Sequence, residues 1–266
     1  MKLSVIMAVY NNASTLKQAI NSILKQTFKD FQFIIVNDAS TDNSSQILDK
    51  IAEKDKRITI INNRTQLGLT KSLNKALKSV KTKYITRMDG DDIALPRRFE
   101  KQIKYLNEHP QITLLGTAAF LINNKGRQIG LKRHPSDHKI LRRKILHYCP
   151  FIHPTWMFRR SALLEVGEYN QNFPYAQDYE LVLRIASKFQ TANLPEPLLK
   201  YRVNSSAAIS YKNLKKQEYL AIKARLLALI YYGYPLSEFW KLIKPFLSFL
   251  VPSFIKIPIY KKFYWI

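Results

Sequence analysis

The sequence predicts an α/β fold in which a mostly parallel sheet is flanked by helices. Three observations carry that prediction. Apolar, β-branched runs alternate with stretches whose apolar residues recur at helical spacing. The connections between them are short, as in repeated strand–helix–strand units with helices on both faces. Carboxylates stand where the second and fourth strands end, and such sheets bind ligands at the carboxyl ends of their strands.

The elements follow in order. "KLSVIMAV" (2–9) suits a buried first strand, and Leu16, Ile20, Ile23 and Leu24 mark the next helix. "FQFIIVND" (31–38) is the second strand, followed by Ile47, Leu48 and Ile51 on a helix. "RITIINN" (57–63) is the third, with Leu69, Leu73, Leu77 and Val80 behind it. "KYITRMD" (83–89) is the fourth, and Pro96 is placed to open a helix at its first turn. "AAFLINNKGRQIG" (118–130) reads as a hairpin turning at "NNKG". Leu181, Val182, Ile185 and Phe189 form the apolar face of a later helix. "YKNLKKQEYLAIKARLLALIYYGYP" reads as a helix ending near Gly233 and Pro235.

Bulk properties narrow the class. The 266 residues allow one large domain or two small ones. A single cysteine, Cys149 beside Pro150, excludes an internal disulfide and reads as packing. The N-terminal run is too short for a secretory signal, so a cytoplasmic location is expected. The net charge of +24 favours a polyanionic partner: nucleic acid, a phosphorylated substrate or an anionic membrane face.

Against 43 Lys and Arg there are only 19 Asp and Glu, yet "YITRMDGDD" gathers Asp89, Asp91 and Asp92 at one strand end. The first strand–helix turn, "AVYNNAST", has no glycine, so no GxGxxG loop cradles a diphosphate there. No GxxxxGK[ST] loop exists either. A cation held by carboxylates is the other way to neutralise a diphosphate, and hard oxygen donors suit Mg2+ or Mn2+. On an extended chain Asp89 and Asp91 face one side and Asp92 the other.

These motifs, "LSVIMAVYNN", "FQFIIVNDASTDNS" and "YITRMDGDD", resemble in that order the family 2 glycosyltransferases of the GT-A fold, over roughly residues 3–205. The resemblance implies a Rossmann-like sheet and inverting, metal-dependent transfer of a sugar, usually from a UDP-sugar, to an acceptor hydroxyl. It divides the chain into a catalytic domain, 1–205, with a nucleotide-sugar half (1–92) and an acceptor and base half (93–205), and a helical extension, 206–266. Ala8, Val9 and Tyr10 match the base-binding segment. Asp38 matches the carboxylate that receives the uracil N3–H, apt because a carboxylate only accepts. Asp89 and Asp91 match the metal-binding pair around Gly90, with Asp91 the main ligand, and Arg87 falls beside the phosphates or base. His153 and Trp156 in "HPTWMFRR" are candidates for sugar or acceptor contact. "FPYAQDYELVLRI" matches the segment that opens the base helix. Asp178 stands at the catalytic-base position, Gln177 replaces the usual Glu, and Glu180 is the fallback base. Arg202 in "YRVNSSAAIS" matches a residue that reaches the diphosphate when a loop closes.

Residues 206–266 hold ten Lys or Arg against two acids, interleaved with aromatics. The uncharged apolar stretch 245–255 is about half the roughly 20 residues that span a bilayer and contains two prolines. This pattern suits lying on an anionic membrane surface, or packing as an appendage or dimer interface. The expected partners are a UDP-sugar, a glycan or lipid-linked glycan acceptor, and the inner face of the plasma membrane. Two rivals remain open. A nucleotidyltransferase acting on sugar phosphates would bring a Gly-rich loop after its first strand. A basic nucleic-acid-binding protein would line its ligand edge with cations, where this chain places acids.

Overall fold

The computed structural model describes residues 1–203 and 213–256. A nine-stranded sheet runs in the order β3-β2-β1-β4-β8-β6-β9-β5, with β7 paired to β6. The four expected strands are β1 (Leu3–Val9), β2 (Phe31–Asn37), β3 (Ile58–Asn62) and β4 (Tyr84–Arg87). They lie parallel, β1 between β2 and β4. β6 (Ile112–Ile122) and β9 (Gln190–Arg202) continue as a parallel pair. β5 (Ile93–Ala94), β7 (Gln128–Lys132) and β8 (Met157–Arg159) run antiparallel to their neighbours. The β6–β7 hairpin turns where expected: Gly126 N–H donates to Asn123 O, and its φ of +76° is one that glycine adopts without a Cβ penalty.

Helices α1 (Ala13–Leu24), α2 (Ser44–Ala52) and α3 (Leu69–Lys78) are the crossovers of the parallel half. α4 (Arg98–Glu108) starts two residues after Pro96, with Arg97 as its cap. α5 (His138–Lys144) and α6 (Arg160–Val166) are short, and α7 (Gln177–Lys188) carries the expected base segment. α8 (Leu214–Tyr231) lies against α7, and its buried Leu220, Ala224 and Ala228 join the same core as Leu181, Val182 and Ile185. A 3-10 turn (Leu236–Leu242) leads into α9 (Ile243–Leu250). Part of the "YRVNSSAAIS" segment and the last ten residues of the extension lie outside the described residues.

The sheet separates two apolar cores. One packs α1, α2 and α4 on β1, β2 and β6 through Leu16, Ile20, Phe31, Phe33 and Phe99. The other packs α3, α7 and α8 through Leu73, Leu77, Trp156, Phe158 and Leu181. Trp156 is fully buried, with Phe151 and His153 edge-on to its ring at 6.3 and 4.6 Å. No face of the indole is left for a sugar, which corrects the expected contact. The tryptophan works through its backbone, whose carbonyl accepts from Thr86 Oγ1 at 2.7 Å and Arg87 N–H at 3.3 Å and so holds the end of β4.

Deleting a fully buried aromatic leaves a cavity that neighbours fill only in part. Trp156→Ala is expected to lower unfolding free energy by about 3–5 kcal/mol in urea titrations. A cost below about 1 kcal/mol would show that the ring is not core.

Candidate active site

Parallel register brings three strand ends to one edge. Asp38 N–H donates to Val9 O at 2.8 Å and Met88 N–H to Ile6 O at 3.1 Å, so Tyr10, Asp38 and Asp89 emerge side by side. After β4 the chain turns at Gly90 and Asp91 instead of staying extended. The turn carries Asp92 round to the others, and oxygens of Asp89, Asp91 and Asp92 lie within 4.8 Å of one another. The expectation that Asp92 points away is therefore corrected. Gly90 packs closely: a Cβ there would lie 3.0 Å from Asn12 Oδ1 at the start of α1 and would press that side chain aside. Thr15 Oγ1 donates to Gly90 O at 2.9 Å and fastens the turn to that helix.

Cations surround the acids from behind. Arg87 is buried and pairs with Asp89, while its Nε has no partner among the described residues. Arg98 was not foreseen. It is wholly buried beneath the turn, bonded to Thr86 Oγ1 at 2.9 Å, Arg87 O at 3.0 Å and Gln102 Oε1 at 3.1 Å. The only signal was a second Arg in "PRRF", which cannot show burial. Arg202 also holds the turn. Its guanidinium donates to the carbonyls of Asp91, Asn123 and Asn124 and to Gln18 Oε1, and its N–H to Asp92 Oδ1 at 2.8 Å. In this conformation it clamps the turn to the β6–β7 hairpin; the expected reach toward a diphosphate depends on closure of a loop, 204–212, that lies outside the described residues.

The β1 and β2 ends form the second part of the edge. Ala8 is partly buried, Val9 fully buried and Tyr10 exposed. Asn11 and Ala39 hold left-handed backbone, φ 53° and 57°, unusual outside glycine. Each is braced: Asn11 N–H donates to Ser40 Oγ, and Asn11 Oδ1 accepts from Thr41 N–H at 2.8 Å. Strained residues persist where surrounding bonds over-determine them, often at ligand sites. Asp38 is nearly buried and accepts from Asn63 Nδ2 at 2.6 Å, Leu67 N–H at 2.9 Å and Gly68 N–H at 2.8 Å. Burial alone would raise its pKa, but these donors outweigh burial and hold it below the usual value, keeping it ionised. The Ser72 hydroxyl adds a further favourable interaction with this carboxylate.

The acceptor half supplies the remaining groups. Asp178, in the first turn of α7, is half-buried and accepts from Tyr179 N–H at 2.8 Å. Burial raises its pKa against the pull of that bond and of Arg87, whose charge reaches it across the site. Gln177 is buried, its Oε1 unpartnered among the described residues. His153 is buried, and Nε2 bonds the Tyr169 hydroxyl at 2.8 Å. Burial, and then Arg87, push its pKa well below 6.5, so the imidazole is neutral. Glu180 is excluded as a base, being fully buried and paired with Arg184 at 2.7 Å while accepting the Tyr232 hydroxyl. Cys149 packs as expected, its thiol pushed up by burial and bonded to Phe151 O at 3.7 Å.

The acid turn meets the requirements of a hard divalent cation. Burial, then the charge of Asp89, raises Asp91 to about 6. Burial, then Asp91 and Asp89, raises Asp92 further above the ordinary carboxylate value. Asp92 Oδ2 is buried without a hydrogen-bond donor among the described residues. An all-oxygen donor set under mutual repulsion fits Mg2+ or Mn2+ better than softer ions.

Comparison with known proteins agrees with this fold. The profile of glycosyl transferase family 2 matches residues 4–167. The O-antigen biosynthesis glycosyltransferase WbnJ of Escherichia coli is 36% identical over 77% of this chain and 81% of its own. The amylovoran biosynthesis glycosyltransferase AmsE of Erwinia amylovora is 34% identical over 76% of each chain. The crystal structure of S. aureus TarS 1-349 with UDP superposes with a TM-score of 0.66 at 22% identity, covering 94% of this chain and 71% of that one. This chain spans 43% of the longer TarS chain. An α/β sheet of the GT-A type with a carboxylate cluster at its ligand edge defines a glycosyltransferase. The chain belongs to glycosyl transferase family 2.

The raised pKa of Asp91 sets the sign of a pH effect. Its folded value lies above the ordinary 3.8, so the cation-free protein loses stability as pH rises from 3.8 through about 6. Bound cation reverses that preference, because the ligand must be ionised. Mn2+ affinity measured calorimetrically is expected to be flat above pH 7 and to fall about tenfold per unit below about 6. An affinity independent of pH between 5 and 7 would remove Asp91 from the ligand set.

Proposed function

We propose that this glycosyltransferase moves a hexosyl or N-acetylhexosaminyl group from a UDP-sugar to an acceptor hydroxyl with inversion. The observation that supports the reading is that buried Arg87 lies within electrostatic reach of Asp89 and Asp92 on one side and of Asp178 on the other. TarS, whose structures include complexes with UDP and UDP-GlcNAc, supports the choice of donor by analogy. WbnJ and AmsE support surface polysaccharide or lipooligosaccharide assembly as the setting. The acceptor is a glycan or lipid-linked glycan, and the chain works peripherally at the cytoplasmic face of the plasma membrane. Residues 1–205 form the catalytic unit and 206–266 the extension.

Tyr10 and the backbone of Ala8 and Val9 border the nucleobase, and the Asp38 carboxylate receives its N–H. Asp91, with Asp89, would hold Mn2+ or Mg2+, which supplies charge neutralisation for the departing diphosphate. Asp178 takes the proton from the acceptor hydroxyl as that oxygen attacks the anomeric carbon. Its raised pKa makes it a better base at neutral pH than an exposed aspartate. The Tyr179 N–H bond and the charge of Arg87 work against that rise. Neutral His153 fixes the Tyr169 phenol beside this group. One base and one cation site suffice for inversion, in contrast with the two carboxylates of glycosidases.

Asp178→Asn is expected to lower the transfer rate about 10²–10⁴-fold, the usual contribution of a general base, while UDP binding with Mn2+ is unchanged. Asp91→Ala is expected to abolish Mn2+-dependent UDP retention. Loss of UDP binding in the Asn variant would assign Asp178 to the donor instead.

A further inference from the structure

The C-terminal segment leaves an apolar face uncovered on the surface of the catalytic unit. Trp240 is 59% exposed, Leu247 57% and Phe254 76%. A contiguous exposed patch of this kind marks an interaction surface. Beside it lies a cleft built from two distant stretches, the end of α5 with the loop after it, and the segment 237–251. The cleft has a basic mouth of about 720 Å3, lined by Arg143, Lys144, His147 and Lys241. Its one lining acid, Glu238, is already paired with Lys241 at 2.8 Å. An adjoining trough of about 580 Å3 is lined chiefly by Trp240, Ile243, Leu247 and Val251.

We propose that this cleft and face dock on a bilayer of anionic phospholipid. Headgroup phosphates sit at the basic mouth, and the trough and its neighbouring apolar side chains enter the acyl boundary. The proposal rests on the peripheral membrane reading given above and names the surface that performs it. Charge complementarity chooses the occupant. Arg143, Lys144 and Lys244 stand exposed at the rim, where phosphates would neutralise them. A second copy meeting this face about a twofold axis would bring the same cations against each other. No helix among the described residues is long and apolar enough to cross a membrane, so the face lies in the interface plane.

The cleft is tied rigidly to the catalytic side. Lys241 Nζ donates to Arg143 O at 2.9 Å, and Arg225 donates to Leu146 O at 2.7 Å and His147 O at 3.0 Å. The Tyr179 hydroxyl donates to Ile145 O at 2.6 Å, and Tyr179 follows Asp178 at the start of α7. Docking therefore ties the lipid-facing surface to the start of the base helix.

The test is flotation of the full chain with vesicles of phosphatidylcholine alone or mixed with phosphatidylglycerol. The wild type is expected to float with the mixed vesicles only. Arg143→Gln with Lys144→Gln is expected to weaken that binding about tenfold or more, and Leu247→Asp with Phe254→Asp to abolish it. Protection of each variant by UDP and Mn2+ against heat unfolding is read in parallel. Variants that keep this protection but still float as wild type overturn the lipid surface. Absence of protection in the wild type overturns the nucleotide-sugar reading and leaves the flotation result to judge the surface independently. Equal flotation with neutral vesicles, or a dimer in sedimentation that Leu247→Asp dissolves with no vesicle binding, also overturns it.

Discussion

Asp89, Asp91 and Asp92 repel one another at the end of β4, and the surrounding structure is arranged around that repulsion. With oxygens within 4.8 Å, an ionised pair costs roughly 3 kcal/mol at an effective dielectric near 20, before solvent screening. Burial of Asp92 makes its charge harder still to carry. The fold spreads the cost among nearby positive charges and backbone donors.

Each support has a physical task. Arg98 underlies the turn as a buried cation with its hydrogen bonds satisfied by Thr86, Arg87 and Gln102. Arg202 joins the turn to the β6–β7 hairpin, and the small profile of Gly90 lets α1 press against it. These contacts join β4, α1, α4, β9 and the hairpin. The carboxylates are therefore held by the whole sheet edge, which limits how far they can separate to escape repulsion. Preorganisation of this kind lets a site hold developing charge without moving at the moment of reaction.

The large excess of Lys and Arg has two destinations. A few cations, Arg87, Arg98 and Arg202, are buried and act on the acid turn. Many others are exposed, and one group of them borders the apolar surface formed by the C-terminal segment. The C-terminal clefts lie at this second location. The catalytic edge is defined by converging polar groups.

The sequence by itself determined what local patterning controls. The first four strands, their crossover helices, the "NNKG" hairpin and the start of α7 at Gln177 were legible because period and turn chemistry are read within a few residues. So were Asp38 and the acids after β4, because strand ends are local and a parallel sheet gathers them on one edge. Tertiary structure alone decided the rest. Whether Asp92 joins its neighbours depends on a turn closed by Thr15 and Arg202, from 75 and 110 residues away. Whether Trp156 meets a sugar or a core depends on which helices pack over it, and whether Arg202 is available depends on carbonyls from a distant hairpin. Pairings at such separation are set by the summed packing of both cores, and no residue's identity or neighbours in the chain encode them.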